Sequence, residues 1–248
     1  MSQPHRSSLP VRLSAALFAV AWLSGCATPT PDGDRQPVDL DQALTLNVTM
    51  GIEYMEQGNL ARAQSKIDRA LEIEPDSPQA LHAQALIYQR QGESQMADRF
   101  FRRALSIAPD FTRGRNNYAA FLYSRGRIEE SCAQLERASQ DIKYNNRAQL
   151  FTNLGQCQWE LGDVSNARAS LNRAQAIDPR TARSHLILAR IDHAEGNPDR
   201  AWEQLQSFIR LAGTTPESLR LAAQLARARG DDAAAAFYSR QIEARDAP

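Results

Sequence analysis

Six glycines recur along this chain at near-constant spacing: Gly58, Gly92, Gly126, Gly162, Gly196 and Gly230, separated by 34, 34, 36, 34 and 34 residues. A unit of that length is one supersecondary element that cannot bury its own apolar face. Successive units must stack into a quasi-linear array. The unit is clearest over Pro78–Phe111. Ala85 and Ala97 are small where two antiparallel helices would cross closely, and Tyr88 and Phe101 are bulky beside the crossing. Gly92 suits the left-handed conformation at a helix C-terminus. Pro109 cannot continue a helix and so ends the unit. The expectation is an all-α chain of stacked helix pairs.

The pattern of small, bulky, glycine and proline positions resembles the tetratricopeptide repeat (TPR). That resemblance implies a right-handed superhelical solenoid of six TPRs, over residues 44–77, 78–111, 112–147, 148–181, 182–215 and 216–248. The third unit departs from the pattern: Ser131 replaces the small alanine, the proline is missing, and Tyr144–Arg147 is an insertion. In the fifth, Phe208 occupies the usual alanine slot and Asn197-Pro198 starts the second helix. The sixth is the most degenerate, as terminal repeats are. Its last helix must present a polar outer face, for which Arg240, Glu243 and Arg245 are suited.

The chain has 248 residues and a formal net charge of zero. Nothing in that balance is the electrostatic footprint of a nucleic-acid binder. Residues 1–25 read as a secretory signal and not as part of the fold. His5, Arg6 and Arg12 make a basic start, and Leu13–Leu23 is an apolar run too short for a permanent membrane span. It ends in Leu23-Ser24-Gly25-Cys26, which resembles the lipobox of bacterial lipoproteins. The resemblance implies cleavage before Cys26, diacylglycerol on its sulfur and acylation of the new amine. Several acyl chains make anchoring stable where one would not. The alternative is an ordinary signal peptide with a stray cysteine. Ala27 follows the cysteine in place of aspartate, which by the lipoprotein sorting rule implies the periplasmic face of the outer membrane. Residues 26–43 read as a lipidated cysteine and a proline-containing tether, extended at roughly 3 Å per residue.

Signs of catalysis are few. His5, His82, His185 and His193 lack metal-ligand spacing, and no P-loop, G-x-S-x-G or H-E-x-x-H occurs. The expectation is a non-enzyme with no metal, no cofactor beyond the lipid on Cys26, and no small-molecule substrate. His82 and His193 read as solvated groove histidines. Cys132 and Cys157 fall on neighbouring helices of units three and four. A disulfide would staple the one irregular junction; two buried unpaired cysteines packing as small apolar residues are the alternative.

By TPR phase, the first helix of each unit lines a concave groove. The candidate partner-binding residues are Val48, Ile52, Met55, His82, Leu86, Gln89, Asn116, Tyr123 and Trp159. Val48, Ile52, Met55 and Leu86 form an apolar patch toward the N-terminal end, suited to an amphipathic helix or strand of a partner; the alternative is that the N-terminal tether folds back over it. Toward the C-terminal end Arg183, Arg190, Arg220 and Arg227 make the groove basic, fit for an acidic segment or for plain solvation.

Taken together, the lipobox, the tether and six TPRs are similar to the type IV pilus biogenesis lipoproteins, or pilotins, of the PilF/PilW kind. Gly51-Ile52-Glu53-Tyr54-Met55-Glu56-Gln57-Gly58 looks like that family's opening repeat, Asn116-Asn117-Tyr118-Ala119-Ala120-Phe121-Leu122 like its third, and Asn153-Leu154-Gly155-Gln156-Cys157 like its fourth. The family often carries a cysteine where this chain has Tyr123. The resemblance implies an outer-membrane protein that binds the pilus secretin subunit and promotes its localisation and multimerisation, in support of pilus biogenesis and twitching motility. A TPR scaffold lipoprotein organising cell-envelope enzymes is the alternative.

Overall fold

The computed structural model describes residues 39–246. The signal segment, Cys26 and the tether up to residue 38 lie outside the described residues; residues 40–43, expected in the tether, are instead the first turn of α1, so the first helix begins before residue 44. The described residues form twelve helices and no strand: α1 Leu40–Glu56, α2 Leu60–Ile73, α3 Pro78–Gln91, α4 Ser94–Ile107, α5 Thr112–Ser124, α6 Ile128–Ser139, α7 Arg147–Glu160, α8 Val164–Ile177, α9 Ala182–Ala194, α10 Pro198–Ala212, α11 Pro216–Ala228 and α12 Asp232–Asp246. Each odd helix packs on the even helix that follows, and each pair stacks on the next. This is an all-α TPR superhelix.

The first five even helices share one rhythm. Ala63, Ile67 and Ala70 are buried, as are Ala97, Phe101 and Ala104, Ser131, Leu135 and Ala138, Ala167, Leu171 and Ala174, and Ala201, Leu205 and Phe208. Spacings of four and three place each triplet on one stripe, so an even helix buries one face and leaves the other polar. The odd helices are different. In α3, Ala80 through Ala85 and then Ile87 are all buried, because α3 lies between its own α4 and the preceding pair. The six spaced glycines end the odd helices or follow them, all with φ between 72° and 83°, a region costly for side-chain-bearing residues.

The crossings are close. A Cβ on Gly155 would come within 2.6 Å of Leu171 Cγ and 3.0 Å of the Ala167 carbonyl oxygen. Ser131 keeps its place at the α5–α6 crossing by donating to the Ala119 carbonyl, 2.8 Å away. A serine therefore substitutes for the small alanine without leaving a buried hydroxyl unsatisfied.

The junction of the third and fourth pairs is irregular. Residues 140–146 separate α6 from α7, where residues 108–111 suffice between α4 and α5. Asp141 holds this longer turn: its carboxylate accepts from the Thr112 hydroxyl at 2.7 Å and from the Lys143 N–H at 2.9 Å. Cys132 of α6 and Cys157 of α7 are buried here and joined as a disulfide, with Cα atoms 5.7 Å apart.

His82 is a core residue. The sequence places it in a solvated groove, but the imidazole is only 3% exposed. Its ring packs edge-on to Phe111 at 5.3 Å and against Phe101 at 5.9 Å. Asn117 Nδ2 donates to His82 Nε2 at 2.9 Å. Burial, reinforced by the nearby positive charge of Arg113, lowers its pKa from 6.5 to about 4. The folded protein thus holds a neutral imidazole.

Two predictions follow from this packing. The disulfide closes a loop across 25 residues; its reduction, or the Cys132→Ala/Cys157→Ala pair, lowers the unfolding free energy by about 3 kcal/mol. Denaturation with and without reductant measures this, and coincident midpoints would exclude it. For His82, the unfolded chain takes up a proton as pH falls through 6.5, while the folded chain resists until about 4. Stability is therefore full above pH 6.5 and declines by up to about 3 kcal/mol on acidification to pH 4. His82→Gln flattens that slope in pH-resolved urea melts; an unchanged slope would show that another group titrates.

Candidate protein-docking groove

The odd helices line three clefts. The first, of about 410 Å³, lies between α1, α3 and α5; Leu44, Val48, Ile52 and Phe111 give it apolar walls, with His82 and Arg113 beside them. The second, about 190 Å³, includes Ala120, Tyr123, Asn153, Gln156 and Arg183. The third, about 300 Å³, includes Trp159, Arg190, His193, Glu217 and Arg220.

The nine candidate residues divide among these surroundings. Val48, Ile52 and His82 meet in the first cleft, with Val48 and His82 nearly buried in its wall. Tyr123 lies in the second cleft and Trp159 in the third. Leu86 and Gln89 are half-buried and line none of the three. Leu86 packs against the cores on both sides of it. Two of the expected groove residues are corrected by the packing. Met55 is 4% exposed in a core with Ala63, Ile67, Ala83 and Ile87. Asn116 is buried and its carbonyl oxygen accepts from Asn153 Nδ2 at 3.2 Å. Both are taken up by packing between helices, and neither lines any of the three clefts. Arg227, expected in the basic end, instead donates to the Ser239 hydroxyl of α12 at 3.2 Å.

Phe111 was missed by repeat phase, because it belongs to the turn before α5. Its signal is Gly114: a Cβ there would come within 2.5 Å of the Phe111 ring, so the glycine admits the aromatic against α5. Leu44, one turn before Val48 on α1, extends the apolar wall toward the start of the described chain.

Polar order in the other clefts is local. Tyr123 donates to Glu160 Oε1 at 3.2 Å, and Gln156 Nε2 donates to the same oxygen at 2.7 Å. Burial and the adjacent Glu160 charge raise the Tyr123 pKa, so the phenol remains a neutral donor. The Arg190 guanidinium lies 4.4 Å from the centre of the Trp159 ring and pairs with Glu217 at 3.1 Å. Such a cation–π contact holds a large aromatic flat and half-accessible. Among the described residues no group of three His, Cys, Asp or Glu side chains is placed to hold a metal ion. The clefts offer apolar walls, amide and phenol hydrogen-bonding groups and arginines, the means of gripping a polypeptide.

Comparison with known proteins agrees with this architecture. The tetratricopeptide repeat family matches at residues 80–114 and 148–181. The type IV pilus assembly protein PilF of Pseudomonas aeruginosa is 29% identical over 239 residues, 95% of this chain and 94% of that protein. A solved structure of P. aeruginosa PilF superposes with a TM-score of 0.79 at 29% identity, covering 84% of this chain and 93% of the other. PilW, described as a widely conserved type IV pilus biogenesis factor, superposes with a TM-score of 0.75 at 30% identity, covering 82% and 93%. The chain therefore belongs to the PilF/PilW family of TPR proteins.

Proposed function

We propose that this protein is a lipoprotein of the outer membrane, anchored through Cys26, that binds the type IV pilus secretin subunit and promotes its localisation and multimerisation. The observation that carries this reading is likeness to PilF along nearly the whole of both chains, joined to an apolar cleft in the first repeats. The protein acts by binding and not by catalysis. The lipid supplies the address, the helix pairs supply a rigid concave surface, and the first cleft receives an apolar segment of the partner. Its walls are pre-formed, because Val48 and His82 are already packed into them, so little ordering entropy is lost on docking.

Deletion of the gene is expected to abolish the detergent-resistant secretin multimer on an unboiled gel of outer membranes, and the wild-type gene to restore it. Persistence of the multimer would remove the assembly role and direct attention to envelope enzymes as partners. Cys26→Ser is expected to leave the protein folded but shift both it and the multimer out of the outer-membrane fraction. Within the groove, Ile52→Asp and the exposed Thr45→Trp, which fills the cleft mouth, should each weaken secretin binding about tenfold or more while the thermal midpoint of Thr45→Trp stays near wild type. Full binding by both variants would exclude the first cleft.

A further inference from the structure

The three clefts share one electrostatic feature. Each contains an exposed arginine: Arg113 in the first, Arg183 in the second and Arg220 in the third. Among the described residues, the one ion pair at these linings is Arg190–Glu217. Glu217 is also the one carboxylate among the lining residues, and Arg190 already holds it. Elsewhere some arginines do find carboxylates, as Arg103 does with Asp76, Arg127 with Asp98 and Arg168 with Asp192. The chain as a whole is neutral, whereas the linings of the first two clefts each carry an arginine and no carboxylate, and that of the third carries two arginines against Glu217.

Two of these arginines also stand against the backbone. Arg113 and Arg183 are the second residues of α5 and α9, where the helix dipole disfavours a cation and favours an anion. An anion placed there gains from the guanidinium and from the helix end together. The clefts also hold apolar and aromatic surface, with Leu44, Ile52 and Phe111 in the first and Trp159 in the third.

From these placements we infer that the groove recognises an acidic segment of a polypeptide, with an apolar side chain seated in the first cleft and carboxylates directed at Arg113, Arg183 and Arg220. This rests on the groove being the docking surface, as proposed above, and adds the chemistry of what docks. A peptide fits better than a nucleic acid or an anionic membrane. The charges are separated along the repeats and alternate with apolar floor, and the clefts are small, which suits spaced carboxylates and an apolar side chain better than a continuous phosphate surface. Charge matching of this kind sets on-rate and specificity and weakens as salt rises.

The test is selection of random peptides displayed on phage against the full-length protein in detergent, beside its Arg113→Gln/Arg183→Gln/Arg220→Gln variant. Circular dichroism and the thermal midpoint establish that the variant is folded; the three side chains are exposed and outside the cores. Wild-type protein is expected to enrich peptides combining Asp or Glu with a large apolar residue. Those peptides, synthesised with a fluorophore, should bind the variant about tenfold more weakly at low salt, with the difference shrinking at high salt. Enrichment without acidic bias, equal binding by the variant, or binding confined to anionic vesicles or oligonucleotides would each overturn the inference. The same peptides used as competitors separate it from the partner assignment. Acidic peptides that bind but fail to displace the secretin leave the groove chemistry standing and remove the secretin from it. Secretin binding that is indifferent to the three substitutions, together with peptides that bind the variant as well as wild type, leaves the partner assignment standing and removes the groove chemistry.

Discussion

The close crossing of each odd helix with the even helix after it governs the rest of the structure. At Gly155 the approach leaves no room for a Cβ beside Leu171 and the Ala167 carbonyl. Two helices brought that near act as one rigid hairpin with apolar residues on two sides. One side is covered by the partner helix, and the other demands a neighbouring pair. Stacking satisfies that demand and repeats it, so the array is a consequence of the crossing and not of any long-range sheet or central core. The disulfide belongs to the same logic. It ties α6 to α7 at the junction where residues 140–146 lengthen the turn, and there a covalent link replaces the short connection found elsewhere.

The groove is a by-product of this arrangement. Even helices bury one stripe and face outward; odd helices are enclosed on two sides and keep only a narrow strip for the concave surface. That strip has to serve packing and recognition at once. Val48 and His82 show the compromise: each is nearly buried and each still forms part of the first cleft. A surface built this way is rigid, because its floor is the core of the next repeat. In the docking role proposed for the groove, specificity rests on the few side chains that project above the floor, chiefly the arginines, Tyr123 and Trp159. The lowered pKa of His82 has the same origin, since an imidazole in the floor is sealed by Phe101 and Phe111 and loses the solvent that would stabilise its charge.

Repeat phase located the groove only in part. Counting positions assigns Met55 to the concave face just as it does Tyr123 and Trp159, yet Met55 packs in the core with Ile67 and Ile87. A long, flexible thioether goes where space exists, and the space depends on the neighbouring pair. Asn116 turns inward for a hydrogen bond to Asn153, a residue in the next repeat that no local pattern singles out. Phe111 was overlooked for the opposite reason: it lies in a turn, outside the helix register, and only the missing side chain of Gly114 betrays its place.

The sequence by itself determined the all-α class, the helix-pair unit and the turn positions, since a glycine that must adopt positive φ and a triplet of small and bulky residues on one stripe are local requirements. Only the tertiary structure decided that Cys132 and Cys157 bond, that His82 is sealed and neutral, and which arginines face the clefts without a carboxylate. Each of those depends on side chains brought together from different repeats. Their distances follow from the stacking of one pair on the next, which periodicity announces but does not measure.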